Sequence, residues 1–270
     1  MPGRTRDEDR RAASFGRILG ASWRVFRARP WTFVAIQIAA AAPFLVLPVV
    51  LFLRTTDASK PTSAALPDAW EWIAVLVGCV SMATAQASVA WLARGTSQGT
   101  HVRILDAVGI GVRRAPRLVA VGLVVAVVFW LFAVVWTAIV ALAANGLGTP
   151  GDVTAARAAV VVGAAVAAGI GGVAVSRLWL VVPIVVFERL ALRSIGRSWS
   201  LTRGHRLSML LLLLAVLLYL VAAALVPVLG VVLVATVWPA FAGIVPTIAY
   251  ETIRRATGDT LRDEVAVVFD

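Results

Sequence analysis

Arg177 is the only charged residue between Arg157 and Glu188, in the middle of a long apolar block. A guanidinium at the centre of a bilayer costs at least ~2.5–3.5 kcal/mol on insertion scales. It must therefore snorkel to a membrane surface, or turn into a helix bundle and meet backbone carbonyls, water or a substrate anion. Glu188 follows eleven residues later, roughly 16 Å along a helix, which is too far for a direct pair. Glu188 and Glu251 each close an apolar block, where the helix dipole already presents negative charge. They call for basic partners, with Arg189, Arg193 or Arg197 near the first and Arg254 or Arg255 near the second. The expected arrangement is an ion pair that docks a neighbouring helix. Proton coupling through a buried glutamate is the sharper alternative, but such residues usually sit deeper in the membrane. Arg193, Arg197, Arg203 and Arg206 form a basic run whose simplest target is the phosphate of anionic lipid headgroups.

No catalytic constellation accompanies these charges. Ser198 and Ser200 lie among arginines without a paired base, and no GxxxxGK phosphate loop occurs. His101, His205 and Cys79 are not in metal-ligand spacing. Cys79 has no partner for an intramolecular disulfide and is expected to pack as a small residue. The sequence therefore predicts no catalytic residue, no metal and no cofactor.

The elements that position these residues follow from composition. Of 270 residues, 60% are hydrophobic and 14% charged, where a soluble domain carries roughly a quarter charged. The net charge of +11 is not a nucleic-acid signal, because the arginines cluster between apolar blocks as they do at a membrane surface. Six blocks approach the ~20 residues a transmembrane helix needs: about 31–53, 70–92, 118–142, 158–187, 208–226 and 231–250. The fourth has length to spare for a tilt or an irregularity, and Pro227–Gly230 would make a tight turn between the last two. The first block follows thirty polar and basic residues and exceeds twenty itself, too long for a cleaved signal peptide. Residues 1–13 read as a disordered basic tail, 14–256 as the membrane domain, and 257–270 as a cytosolic tail.

Basic residues set the direction. With the N-terminus inside, the cytosolic segments carry twenty-one arginines and the outer loops three basic residues (Arg54, Lys60 and Arg157). The positive-inside rule then places both termini in the cytosol. Each odd-numbered block is preceded by a basic stretch with helical periodicity. Phe15, Ile18, Leu19, Ser22 and Phe26 share a face in the first. Leu105, Val108 and Val112 share one in the second, with Pro116 ending that helix. Leu192, Ile195 and Trp199 share one in the third. Such helices are expected to lie in the headgroup plane. Gly20, Ser22, Trp23 and Arg27 match Gly196, Ser198, Trp199 and Arg203, and Val182-Pro183 precedes Phe187-Glu188 as Val245-Pro246 precedes Tyr250-Glu251. The expected fold is thus all-α, integral to the membrane, with six transmembrane helices arranged as three hairpins. An in-plane amphipathic helix precedes each hairpin. The small residues between Gly163 and Gly172 suggest a central fourth helix, and the leucine-rich fifth suggests lipid contact.

Several of these stretches resemble one known module. Phe15–Pro30, Val182-Pro183 to Glu188, Ala191 to Gly204 and Tyr250-Glu251 to Arg254 are similar to the multi-pass membrane domain attached to some bacterial glycerophosphodiester phosphodiesterases. They are similar also to its stand-alone actinobacterial-type relatives. In fused members a separate soluble barrel carries the hydrolysis, and these 270 residues contain no counterpart of its metal ligands. The resemblance implies architecture and location, not an activity. The expectation is a non-enzymatic protein of the cytoplasmic membrane that contacts anionic lipid or scaffolds partners, with homo-oligomerisation open. The alternative is a transporter or permease component with a polar cavity around Arg177.

Overall fold

The structure, a computed structural model, describes residues 15–55, 69–147, 153–224 and 237–256. The described residues are helical, with no strand. They form α1 (Phe15–Ala28), α2 (Pro30–Thr55), α3 (Ala69–Ser97), α4 (Ile104–Leu147), α5 (Val153–Leu178), α6 (Val181–Phe187), α7 (Arg193–Thr202), α8 (Arg206–Ala224) and α9 (Trp238–Ala256). Three stretches are long and apolar enough to cross a membrane: Trp72–Ser97, Ile104–Leu142 and Val160–Phe187. Pro30–Ala42 and Arg206–Ala215 are shorter apolar helices. Large apolar side chains such as Trp130, Val161 and Leu218 point outwards from them. A water-soluble fold would bury such residues, whereas a bilayer is their natural solvent.

Packing converges on α3, which touches α1, α2, α4, α6 and α9. Its last four turns supply Ala87, Val89, Ala90, Leu92 and Ala93, all fully buried. Two glycines let neighbours come close. A Cβ on Gly111 of α4 would lie 2.5 Å from the Thr84 carbonyl and against the Ser88 hydroxyl of α3. One on Gly243 of α9 would lie 2.6 Å from Val89. The side-chain amides of Gln37 (α2) and Gln86 (α3) both donate to the Pro239 carbonyl, at 3.2 and 3.1 Å, and tie α9 to the other two helices.

The structure departs from the sequence reading at Pro116, in the placing of the fourth block and at Cys79. Pro116 does not end a helix, because α4 continues through it for 44 residues in all. Proline removes one i→i−4 hydrogen bond and crowds the previous turn. Here Gly111, Ala115, Leu118 and Val121 are buried on both sides of that point, and this continuous packed face holds the helix together. The second basic stretch is therefore the first part of α4. The fourth block, by contrast, does break. Trp179 and Leu180 form a turn between α5 and α6, directly after Arg177. Pro183 falls in the first turn of α6, where its missing N–H would have no helical partner anyway.

The fourth block is also peripheral over most of its length. Val160, Val161, Val162, Val166 and Ile170 are exposed, and nothing lies within 4 Å of a Cβ on Gly169 or Gly171. Only Gly163 makes a close approach, against Val140, with its carbonyl accepting the Trp136 indole N–H at 2.9 Å. Small residues permit close packing, but they do not supply the partner helix. Cys79 is a free thiol on the exposed side of α3 and does not pack inside. The expected tails 1–13 and 257–270, the positions 56–68 and 148–152 expected to form outer loops, and the turn expected at Pro227–Gly230 fall outside the described residues.

Candidate functional site

The two aromatic–acid pairs, Phe187-Glu188 and Tyr250-Glu251, come together at one end of the helices. The rings of Phe187 and Tyr250 stack with centroids 5.8 Å apart. The fully buried Tyr250 donates its hydroxyl to Glu188 Oε1 at 2.8 Å, and Arg197 Nε lies 3.3 Å from Oε2. On the other side, Arg94 Nε approaches Glu251 Oε1 at 3.1 Å, with its guanidinium 4.6 Å from the centre of the Phe187 ring. Arg255 adds a longer contact to Glu251 at 3.6 Å, and Arg254 lies 5.8 Å over the Tyr250 ring. The repeated motif thus folds onto itself. Each carboxylate is tied to the aromatic residue of the other pair, Glu188 directly through Tyr250 and Glu251 through Arg94. This cluster binds the ends of α3, α6, α7 and α9.

The chain reaches this geometry through local backbone choices. Glu188 caps α6, its N–H bonding to the Ile184 carbonyl. Arg189 then takes a left-handed conformation with φ 58°, which turns the chain out of the helix and towards α7. Arg117 of α4 donates to the Arg189 carbonyl at 3.4 Å. With Arg113 and Arg114 on the same stretch of α4, positive charge is concentrated here.

Arg177 meets an aromatic ring of α7. Its guanidinium lies 4.0 Å from the centre of the Trp199 ring on α7, and its backbone carbonyl accepts a short hydrogen bond from the buried Ser198 hydroxyl. The turn at Trp179-Leu180 explains this placement. It ends α5 just after Arg177, so the side chain meets the basic end of the molecule and not mid-span carbonyls. Arg177 Nε is buried without a hydrogen-bond acceptor beside a cleft of about 400 Å³, which Ser176, Thr202 and Arg206 also line. If the Arg177–Trp199 contact holds α7, Arg177→Met should lower stability by about 0.5–2 kcal/mol, the range for a cation–π pair. Thermal unfolding in detergent measures this. Adding Trp199→Leu to Arg177→Met should cost less than the two single changes summed, whereas full additivity would contradict the contact.

α7 presents a buried side and an exposed side, the latter mixing apolar and basic residues. Ser194, Ser198, Leu201 and Thr202 are buried against the bundle. Leu192 and Trp199 are exposed, and so are Arg193 and Arg203. α1 repeats the pattern, with Ser22 buried, Trp23 exposed at 54% and Arg24 and Arg27 outside. The matched pairs Ser22/Ser198 and Trp23/Trp199 therefore occupy matching environments. Arg197 is set apart from Arg193 and Arg203 by its ion pair with Glu188.

Sequence reasoning missed Arg94 as the partner of Glu251, Tyr250 as the partner of Glu188, and the Gln37–Gln86 pair. The glutamines carried a readable signal, since a lone amide in an apolar block must find a partner. Arg94 and Tyr250 carried none, because their pairing depends on which helix ends meet. Among the described residues no three His, Cys, Asp or Glu side chains are grouped as a metal site. No family model, curated protein or solved structure matches the chain.

Proposed function

We propose that this chain is a six-span protein of the cytoplasmic membrane, with both termini in the cytosol. In this reading its arginine-rich end contacts anionic lipid and it performs no catalysis. The exposed side of α7 carries the proposal: opposite its buried serines it offers Leu192 and Trp199 to the acyl region and Arg193 and Arg203 to headgroup phosphate. The resemblance to the phosphodiesterase-associated membrane domain points to the same location. Glu188 and Glu251 serve as structural anchors in this reading, leaving Arg193 and Arg203 for lipid.

Each basic residue near an anionic surface contributes on the order of 1 kcal/mol. Adding anionic lipid to the purified protein in detergent should therefore raise its thermal stability, and Arg193→Gln with Arg203→Gln should remove most of that gain. Equal stabilisation by zwitterionic lipid would overturn the reading. A transporter component is the second reading, favoured by the cleft beside Arg177 and by the buried Gln37 and half-buried Gln86 on the Pro239 carbonyl. In that case Arg177→Met would abolish uptake of a solute while leaving the fold intact.

A further inference from the structure

We infer that α2, α3 and the start of α4 form a binding slot for a single anionic phospholipid. Two cavities meet there. One, of about 520 Å³, is a basic mouth lined by Arg29, His101 and Arg103. The other, of about 510 Å³, is a groove between α2, α3 and α4, lined by small and apolar side chains including Ala35, Ala39, Val80, Ala85 and Val112. Both are lined by Thr32 and Ile104, so the mouth adjoins the groove. Each volume falls within the roughly 300–1,000 Å³ of ligand-holding clefts.

The slot has the polarity of a phospholipid. Arg29 is half-buried and fixed by one hydrogen bond, Nη1 to the Val102 carbonyl at 3.1 Å. A guanidinium has five N–H donors, so donors remain for a phosphate. Arg103 is exposed at the same mouth, and among the described residues no carboxylate lines either cavity. Inside the groove the hydroxyls of Thr84 and Ser88 donate to their own helix, at 2.8 Å to Val80 and 2.7 Å to Thr84. Ser81 and Thr32 also line the groove, but the charged side chains lining the two cavities stand at the mouth, and the groove's mainly apolar walls suit an acyl chain. Gly111 brings α4 onto α3 at the groove's edge. A soluble phosphate would use the mouth and have no need of the groove.

This inference rests on the reading of the chain as a membrane protein, but it concerns residues other than Arg193 and Arg203, and the two fail separately. Native mass spectrometry of the intact, detergent-purified protein, titrated with phosphatidylglycerol or with phosphatidylcholine of the same chains, counts the bound lipids. The expected result is one retained phosphatidylglycerol, preferred about tenfold or more, given two arginines on one phosphate. Arg29→Gln with Arg103→Gln should erase that preference. Filling the groove with Ala39→Trp, or independently Ala35→Phe, should remove the adduct; both positions are exposed, so each variant should fold. Arg193→Gln with Arg203→Gln should leave the adduct in place even though it loses the general anionic-lipid stabilisation. Equal retention of both lipids, or an adduct that survives both groove-filling variants, would reduce the slot to ordinary boundary lipid and overturn the inference. Displacement of the lipid by glycerol phosphate in water would overturn it too, by making the mouth a site for soluble phosphate esters.

Discussion

Gly111→Ala will destabilise the protein, whereas Gly109→Ala, two residues away on the same helix, will stabilise it slightly. Both substitutions gain helix propensity, about 0.8–1 kcal/mol over glycine. They differ in what the new methyl meets. At Gly109 there is nothing within 4 Å. At Gly111 the methyl would lie 2.5 Å from the Thr84 backbone carbonyl and collide with the Ser88 hydroxyl. Ser88 is fully buried and already donates to Thr84, and a backbone atom of α3 cannot swing aside. The helices must separate, with an overpacking cost of typically 1–3 kcal/mol. Leucine at Gly111 should cost more and lower the yield of folded protein. Thermal midpoints in one detergent decide the matter, and equal shifts for the two alanine variants would contradict the α3–α4 contact.

The second large effect is expected at Glu188. Its carboxylate accepts from Tyr250 and pairs with Arg197, and it is mostly buried, with 17% of its side chain exposed. Hydrogen bonds to charged groups are worth about 1.5–3 kcal/mol each. Losing one member of a buried pair leaves the other charge uncompensated. Arg197 is 27% exposed, and solvent offsets part of that loss. Glu188→Ala should therefore cost roughly 2–3 kcal/mol. Glu188→Gln should cost less, since its amide oxygen still accepts the Tyr250 hydroxyl. Tyr250→Phe combined with Glu188→Ala should be less damaging than the two single changes summed. A Glu188→Ala variant within about 0.5 kcal/mol of the native protein would mean that the pair behaves as an exposed surface contact.

What could be read from the sequence was what depends on neighbours along the chain. Apolar runs gave the helices, and the periodicity of Phe15–Ala28 and Arg193–Thr202 gave two separate amphipathic helices. The Ser22/Ser198 and Trp23/Trp199 matches point to matching environments because the same local pattern sets burial at the same positions. Errors arose wherever the answer depended on a distant partner. Pro116 looked like a stop, but it lies on the exposed side, and the buried face of Gly111, Ala115, Leu118 and Val121 keeps α4 going. The glycines of α5 looked like a contact surface, but only Gly163 has a neighbour that close. The surroundings of Arg177 stayed open because the turn at Trp179-Leu180, which sets it against Trp199, has no local signal in the sequence. The two acid–aromatic pairs were visible as a repeat. That they stack on one another follows from the meeting of α6 and α9 and could not be read from the repeat alone.

The most direct test of the central claim asks which side of the membrane the arginine-rich end faces. Cys79 is exposed and must first be replaced by alanine. Single cysteines are then placed at Ser97 and Ser200, both exposed at that end, and at Ser59 and Thr149 in the loops assigned to the opposite side. Ser198 would be a poor probe because it is buried. In intact cells an impermeant thiol reagent should label the cysteines at 59 and 149. Those at 97 and 200 should react only after the membrane is opened. Labelling of 97 and 200 in intact cells, with 59 and 149 protected, would place the arginines outside and contradict the account.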